Sequence, residues 1–86
     1  MEARMINPAM VLPGSLEAIQ ALIASVNKGG VEPATLELVH LRTSQINGCG
    51  ACLDMGAKAA RKSGESMERL LTLAGWREAP YFTDAE

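Results

Sequence analysis

Cys49 and Cys52 stand three positions apart in the run Gln45-Ile-Asn-Gly48-Cys49-Gly-Ala-Cys52. Placed on one helix face, two thiols at that spacing can meet and close a short-loop disulfide. A cysteine at a helix N-terminus sees the positive end of the macrodipole and free N–H groups, which lower its pKa and raise its thiolate fraction. Such a thiolate is a nucleophile toward peroxides and disulfides. Two other readings compete. One is a metal site of Cys49, Cys52 and His40 with a further ligand; a four-cysteine zinc site is excluded within one chain, which holds 2 cysteines. The other is a pair of buried cysteines acting as small hydrophobes. The thioredoxin form of C-x-x-C needs a βαβ context that the sequence lacks.

Glu37 lies upstream in an otherwise largely apolar stretch, where a carboxylate can have a raised pKa and act as an acid or base. Its ordinary alternative is a salt bridge to Arg42 or an exposed position. His40 follows one helical turn later and can share a face with Glu37, although a single histidine is more often a packed or surface residue. Ser44, Gln45 and Asn47 can hydrogen-bond around the junction that leads to the cysteines, or simply cap it.

These residues need helices to position them. Ser15 reads as an N-cap for a helix over Leu16 to Asn27, whose Leu16, Ile19, Ile23 and Val26 recur at amphipathic spacing. Gly29 and Gly30 stop it. Pro33 suits the first turn of a second helix, made apolar over much of its circumference by Leu36, Leu38, Val39, Leu41 and Ile46, and therefore expected to be central. Asn47-Gly48 ends it with a turn signal. A third helix from about Cys49 to Ser63 is rich in small residues that let a neighbour approach closely, and Gly64 stops it. Gly56 is odd there, since a mid-helix glycine costs about 1 kcal/mol relative to alanine. Ser66 caps a fourth helix with Met67, Leu70, Leu71 and Ala74. Met5, Ile6, Met10, Val11 and Leu12, interrupted by Pro8, form an apolar strap before the first helix.

No β-rich stretch, internal repeat or low-complexity segment occurs. The expectation is an all-α fold, a small helical bundle in one domain over residues 1–86. Thr83-Asp-Ala-Glu86 has the form of a capping box with no helix after it, so the sequence reads as a fragment lacking C-terminal helices. With 48% apolar residues but 3% aromatic, the core must be built from aliphatic side chains and alanine. A chain of 86 residues gives a thin stability margin, for which oligomerisation is a usual supplement.

A formal charge of −2, with no basic stripe, argues against nucleic acid. No segment approaches the roughly 18 to 20 apolar residues needed to span a bilayer, and no signal peptide is evident. The expected location is the cytoplasm, where a cysteine pair points to catalysis or metal binding before a structural disulfide.

The run Glu37-Leu-Val-His-Leu-Arg-Thr-Ser-Gln-Ile-Asn-Gly-Cys49-Gly-Ala-Cys52-Leu-Asp-Met55 resembles the core of the alkylhydroperoxidase D-like family, also called the carboxymuconolactone decarboxylase family. The similarity continues through Ala59-Ala-Arg-Lys-Ser-Gly64-Glu to Leu73-Ala-Gly-Trp-Arg-Glu78 and Pro80-Tyr-Phe-Thr. It implies an all-helical protein whose helices pack across subunits in a homo-oligomer, a trimer or hexamer. It also implies a thiol-dependent peroxidase or disulfide reductase that needs no cofactor. One thiolate attacks a hydroperoxide, the other resolves the sulfenic acid as a disulfide, and an external dithiol or protein reductant restores the pair. The family's attacking cysteine corresponds to Cys52, whereas the dipole argument alone favours Cys49. Glu37 matches a glutamate that starts a proton relay to the thiol.

The relay's histidine falls at Gly56, so the pattern is broken and turnover is expected to be impaired. Either His40 occupies the same space with help from water, or the chain has lost efficient turnover while keeping the dithiol and fold. The missing side chain at Gly56 is expected to leave room beside the thiols. A non-catalytic helical oligomerisation module with a structural cysteine pair is the alternative. Decarboxylation of a lactone acid rests on the family name alone, and the cysteine pair argues against it.

Overall fold

The computed structural model describes Arg4 and residues 6–86. Met5, the first residue of the expected strap, lies outside the described residues. Five α-helices and one 3-10 helix, with no strand among the described residues, make the fold all-α. The chain divides into two compact units, the first ending at Val31 and the second running Glu32–Glu86.

In the first unit, α1 (Pro8–Val11) is a single turn within the expected strap. Asn7 caps it, its side-chain oxygen accepting from the Ala9 N–H at 3.0 Å, and Pro8 occupies the first turn, where no N–H is missed. α2 (Ser15–Asn27) matches the expected span, but its N-cap is Gly14 and not Ser15. Gly14 turns the chain with φ of 82°, which places Ser15 already inside the first turn. The stripe Leu16, Ile19, Ile23 and Val26 forms as its periodicity predicts, yet all four side chains are exposed.

The second unit holds the core. α3 (Pro33–Asn47) and α4 (Gly50–Lys62) form a helical hairpin, and α3 also packs on the 3-10 helix Leu73–Glu78. Leu38 and Leu41 from α3, Ala60 from α4 and Leu73 are buried together, with Leu53, Ala57, Leu70 and Phe82 around them. Ala60 has no exposed surface; a larger side chain there would hold the helices apart. α3 is less uniformly buried than its composition suggests, since Val39 and Ile46 remain exposed. Ser44 is buried, and its hydroxyl donates to the His40 carbonyl one turn earlier at 2.7 Å.

α5 (Met67–Thr72) begins as expected at Ser66, whose hydroxyl oxygen accepts from the Arg69 N–H at 3.2 Å. Arg69 ties the last residues back to α5. Its guanidinium pairs with Glu65 at 2.7 Å and with Glu86, donates to the Tyr81 carbonyl, and lies 5.0 Å over the Phe82 ring. The Glu86 carboxylate also accepts from the Thr83 N–H at 2.9 Å, the reach-back half of the capping box read from the sequence.

Candidate dithiol site

The α3–α4 turn sets the position of the cysteines. Gly48 closes α3 in the left-handed conformation, φ 67°. The Cys49 N–H reaches back to the Ser44 carbonyl at 3.0 Å and the Gly48 N–H to the Gln45 carbonyl at 3.2 Å. This pairing is the Schellman arrangement, which satisfies the last carbonyls of α3 and needs a residue without a Cβ penalty at its left-handed position. The turn delivers Cys49 directly to the N-cap of α4, one place outside the helix that the sequence reading began at Cys49.

Cys49 and Cys52 are joined as a disulfide, with their Cα atoms 5.3 Å apart. The Cys49 sulfur accepts the Cys52 backbone N–H at 3.2 Å, one of the donors that a helix start leaves without an intrahelical partner. Both residues are half-buried, so the bond is neither sealed in the core nor fully open to solvent. The same N–H and the macrodipole favour negative charge on Cys49 once the pair is reduced. Among the described residues, no group of three or more His, Cys, Asp and Glu side chains gathers in a metal-holding arrangement.

Glu37 and His40 project toward α4 at different heights. The Glu37 carboxylate accepts from the Ser63 hydroxyl at 3.1 Å. It thereby faces the C-terminal end of α4, eleven residues and about 16 Å along the helix axis from Cys52. Arg42 does not pair with it; that guanidinium donates to the Gln45 side-chain oxygen at 3.1 Å. His40 lies nearer the thiols, its ring against Gly56, one turn beyond Cys52. A Cβ placed on Gly56 would stand 3.2 Å from His40 Nδ1, 3.3 Å from His40 Cε1 and 2.8 Å from Leu41 Cδ2. The expectation that Gly56 leaves room beside the thiols is therefore corrected: neighbours on α3 fill that space. The mid-helix glycine has a packing reason that periodicity alone could not reveal.

A separate apolar cleft of about 200 Å³ opens on the other side of α3, lined by Leu38, Val39, Arg42, Leu73, Trp76 and Phe82 among others. None of Glu37, His40, Cys49 and Cys52 borders it.

The sequence profile of the carboxymuconolactone decarboxylase family matches residues 13–86. The uncharacterized protein YdfG of Bacillus subtilis is 30% identical over 76 residues, 88% of this chain and 52% of that protein. The alkyl hydroperoxide reductase AhpD of Acidobacterium capsulatum is 45% identical over 42 residues, 49% of this chain and 23% of that enzyme. A solved protein of unknown function from Agrobacterium tumefaciens, proposed to be the antioxidant defence protein AhpD, superposes with a TM-score of 0.78 at 38% identity. That match covers 91% of this chain and 53% of the other. The chain thus spans about half the length of the Bacillus and Agrobacterium proteins.

Proposed function

The chain belongs to the carboxymuconolactone decarboxylase family, and on that footing we propose that it is a thiol-dependent peroxidase or disulfide reductase working through Cys49 and Cys52. The observation that carries this reading is the disulfide across the first turn of α4, with Cys49 as the helix N-cap. Relatives named alkyl hydroperoxide reductase are 40 to 45% identical over about half of this chain.

In the forward step, the Cys52 thiolate attacks the terminal oxygen of a hydroperoxide. An S–O bond forms, the O–O bond breaks, and the departing alkoxide leaves as alcohol after taking a proton. Cys52 is then a sulfenic acid. The Cys49 sulfur displaces water from it, closing the disulfide. Two thiols have supplied the two electrons that reduced the peroxide. An external dithiol, or a protein carrying one, returns the pair to the thiol state by exchange. The Cys52 backbone N–H, donated to the Cys49 sulfur, suits that sulfur to resolving and leaving steps, because a stabilised thiolate is both formed and expelled more easily.

The same reading takes the protein to be a cytoplasmic homo-oligomer. The exposed side chains of Ile19, Leu22, Ile23 and Val26 on α2 supply apolar surface for association. No helix among the described residues is long and apolar enough to cross a membrane.

The test is a thiolate titration of the reduced chain, followed by counting thiols after one addition of hydroperoxide. A depressed thiol pKa and the peroxide-dependent loss of both thiols are expected, with Cys52→Ser abolishing turnover. Ordinary thiols that survive peroxide would leave a helical scaffold with an inert cysteine pair. Full turnover by Cys52→Ser would move the attack to Cys49.

A further inference from the structure

The apolar cleft beside α3 takes no part in the dithiol chemistry, since none of Glu37, His40, Cys49 and Cys52 borders it. Leu38, Val39 and Arg42 stand at helical spacing on one face of α3 and supply one wall. Leu73 and Trp76, one turn apart on the 3-10 helix, supply another, and Phe82 adds a second ring. Both rings are braced by cations that do not themselves border the cleft. The Arg77 guanidinium lies 4.8 Å over the Trp76 ring and that of Arg69 lies 5.0 Å over Phe82. Held in this way, the walls exist before any ligand arrives, as is usual of small-molecule sites.

Size and charge narrow the ligand. The cleft offers about 200 Å³, and an apolar cavity of about 150 Å³ is enough to take benzene. The space therefore suits one ring, or a chain of similar bulk, carrying one small polar group. Two charged side chains line it, Arg42 and Glu86. The Glu86 carboxylate is already matched, by the Arg69 guanidinium and by the Thr83 N–H at 2.9 Å. Arg42 is half-buried and donates one N–H to the Gln45 side-chain oxygen, a neutral partner. The rest of its planar fork stays without a counter-ion among the described residues. A guanidinium beside apolar walls favours a carboxylate, which the fork can hold through two parallel hydrogen bonds. A cation would be repelled by Arg42, and a dianion would set its second charge against Glu86.

We propose that this cleft binds a small apolar monocarboxylate, about the size of benzoate, with its apolar body against Leu38, Leu73, Trp76 and Phe82 and its carboxylate on Arg42. The assignment stands apart from the dithiol reading and holds whether or not the cysteines reduce peroxides.

The test is a titration of the full chain with sodium benzoate. Trp76 is the chain's one tryptophan and borders the cleft, so its emission reads occupancy directly. A saturable change is expected with benzoate. The uncharged isostere benzamide should bind about tenfold more weakly, the scale of a hydrogen bond to a charged group. Arg42→Gln, with circular dichroism unchanged, should weaken benzoate by the same factor and leave benzamide where it was. Val39→Phe, at a position 54% exposed and so tolerant of change, should narrow the cleft and weaken both.

Quenching that rises linearly with both ligands, or a benzoate affinity indifferent to Arg42→Gln, would overturn the assignment. Trp76 emission that shifts with protein concentration, while benzoate has no saturable effect, would overturn it too and give the cleft to a second copy of the chain. If Arg42→Gln fails to fold, the unaltered chain decides alone: equal affinity for benzoate and benzamide removes the carboxylate preference, and a tenfold ratio keeps it.

Discussion

α2 and the α3–α4 hairpin show how little an apolar stripe decides until it meets a partner. α2 carries the cleaner pattern, with Leu16, Ile19, Ile23 and Val26 at amphipathic spacing, and buries none of them. α3 interrupts its apolar residues with Glu37, His40, Arg42 and Gln45, yet it supplies Leu38 and Leu41 to the core. The difference lies in what stands opposite. α4 offers Gly56, Ala57 and Ala60, whose small volumes let α3 approach until its leucines lose contact with water. The hydrophobic effect rewards area removed from water, not periodicity. The same close approach brings the His40 ring against Gly56 on α4.

The largest effect that would break this contrast is expected at Leu41→Ala. Its side chain is 4% exposed and lies against Gly56. Truncation should cost about 2–5 kcal/mol, transfer and cavity terms together, read as a lower denaturant midpoint. A loss below about 1 kcal/mol would mean that the hairpin is not the stabilising core.

An intermediate effect sharpens the comparison within the second unit, between packed leucines and the charged clasp at Arg69. The guanidinium holds the Glu86 carboxylate down, from an ordinary 4.5 to about 2, helped by the Thr83 N–H. Because the folded-state pKa is the lower one, this stabilisation is complete above about 4.5 and drains away as pH falls toward about 2. Glu86→Gln should therefore cost about 1 kcal/mol near neutral pH, the scale of a well-placed surface ion pair, and should flatten the loss of stability across that acid range. An unchanged acid limb in the variant would assign it to other carboxylates.

The smallest effect belongs to α2. Ile23→Ala, measured at a dilution where the chain is monomeric, should change stability by less than about 0.5 kcal/mol, as exposed substitutions do. A cost matching Leu41→Ala would show that α2 is covered even in the monomer. A lower assembled mass at high concentration, with monomer stability intact, would place Ile23 in an interface between copies.

Much of the architecture was legible from residue order. Pro33, Asn47-Gly48, Gly64 and Ser66 punctuate the chain through backbone rules that act locally, so the helix bounds fall within a residue or two of their signals. Ser15 was misplaced by one step because a glycine can hold an N-cap by its left-handed φ without a side-chain bond, and serine looked the better candidate on type alone. The fate of Val39 and Ile46 was not legible, since an apolar side chain carries no mark of whether a partner will reach it.

By itself the sequence determined the all-helical class, the family, and the presence of two thiols at the start of a helix, because spacing and capping chemistry are properties of neighbours along the chain. Only the tertiary structure decided which partners the polar side chains of α3 take. It set Glu37 against Ser63, kept Arg42 with Gln45, and laid His40 against Gly56. Those pairings join residues of α3 and α4 across the hairpin, or choose among partners each side chain could have reached. They depend on how closely two helices pack, a distance fixed by the volumes of side chains that one-dimensional order does not bring together.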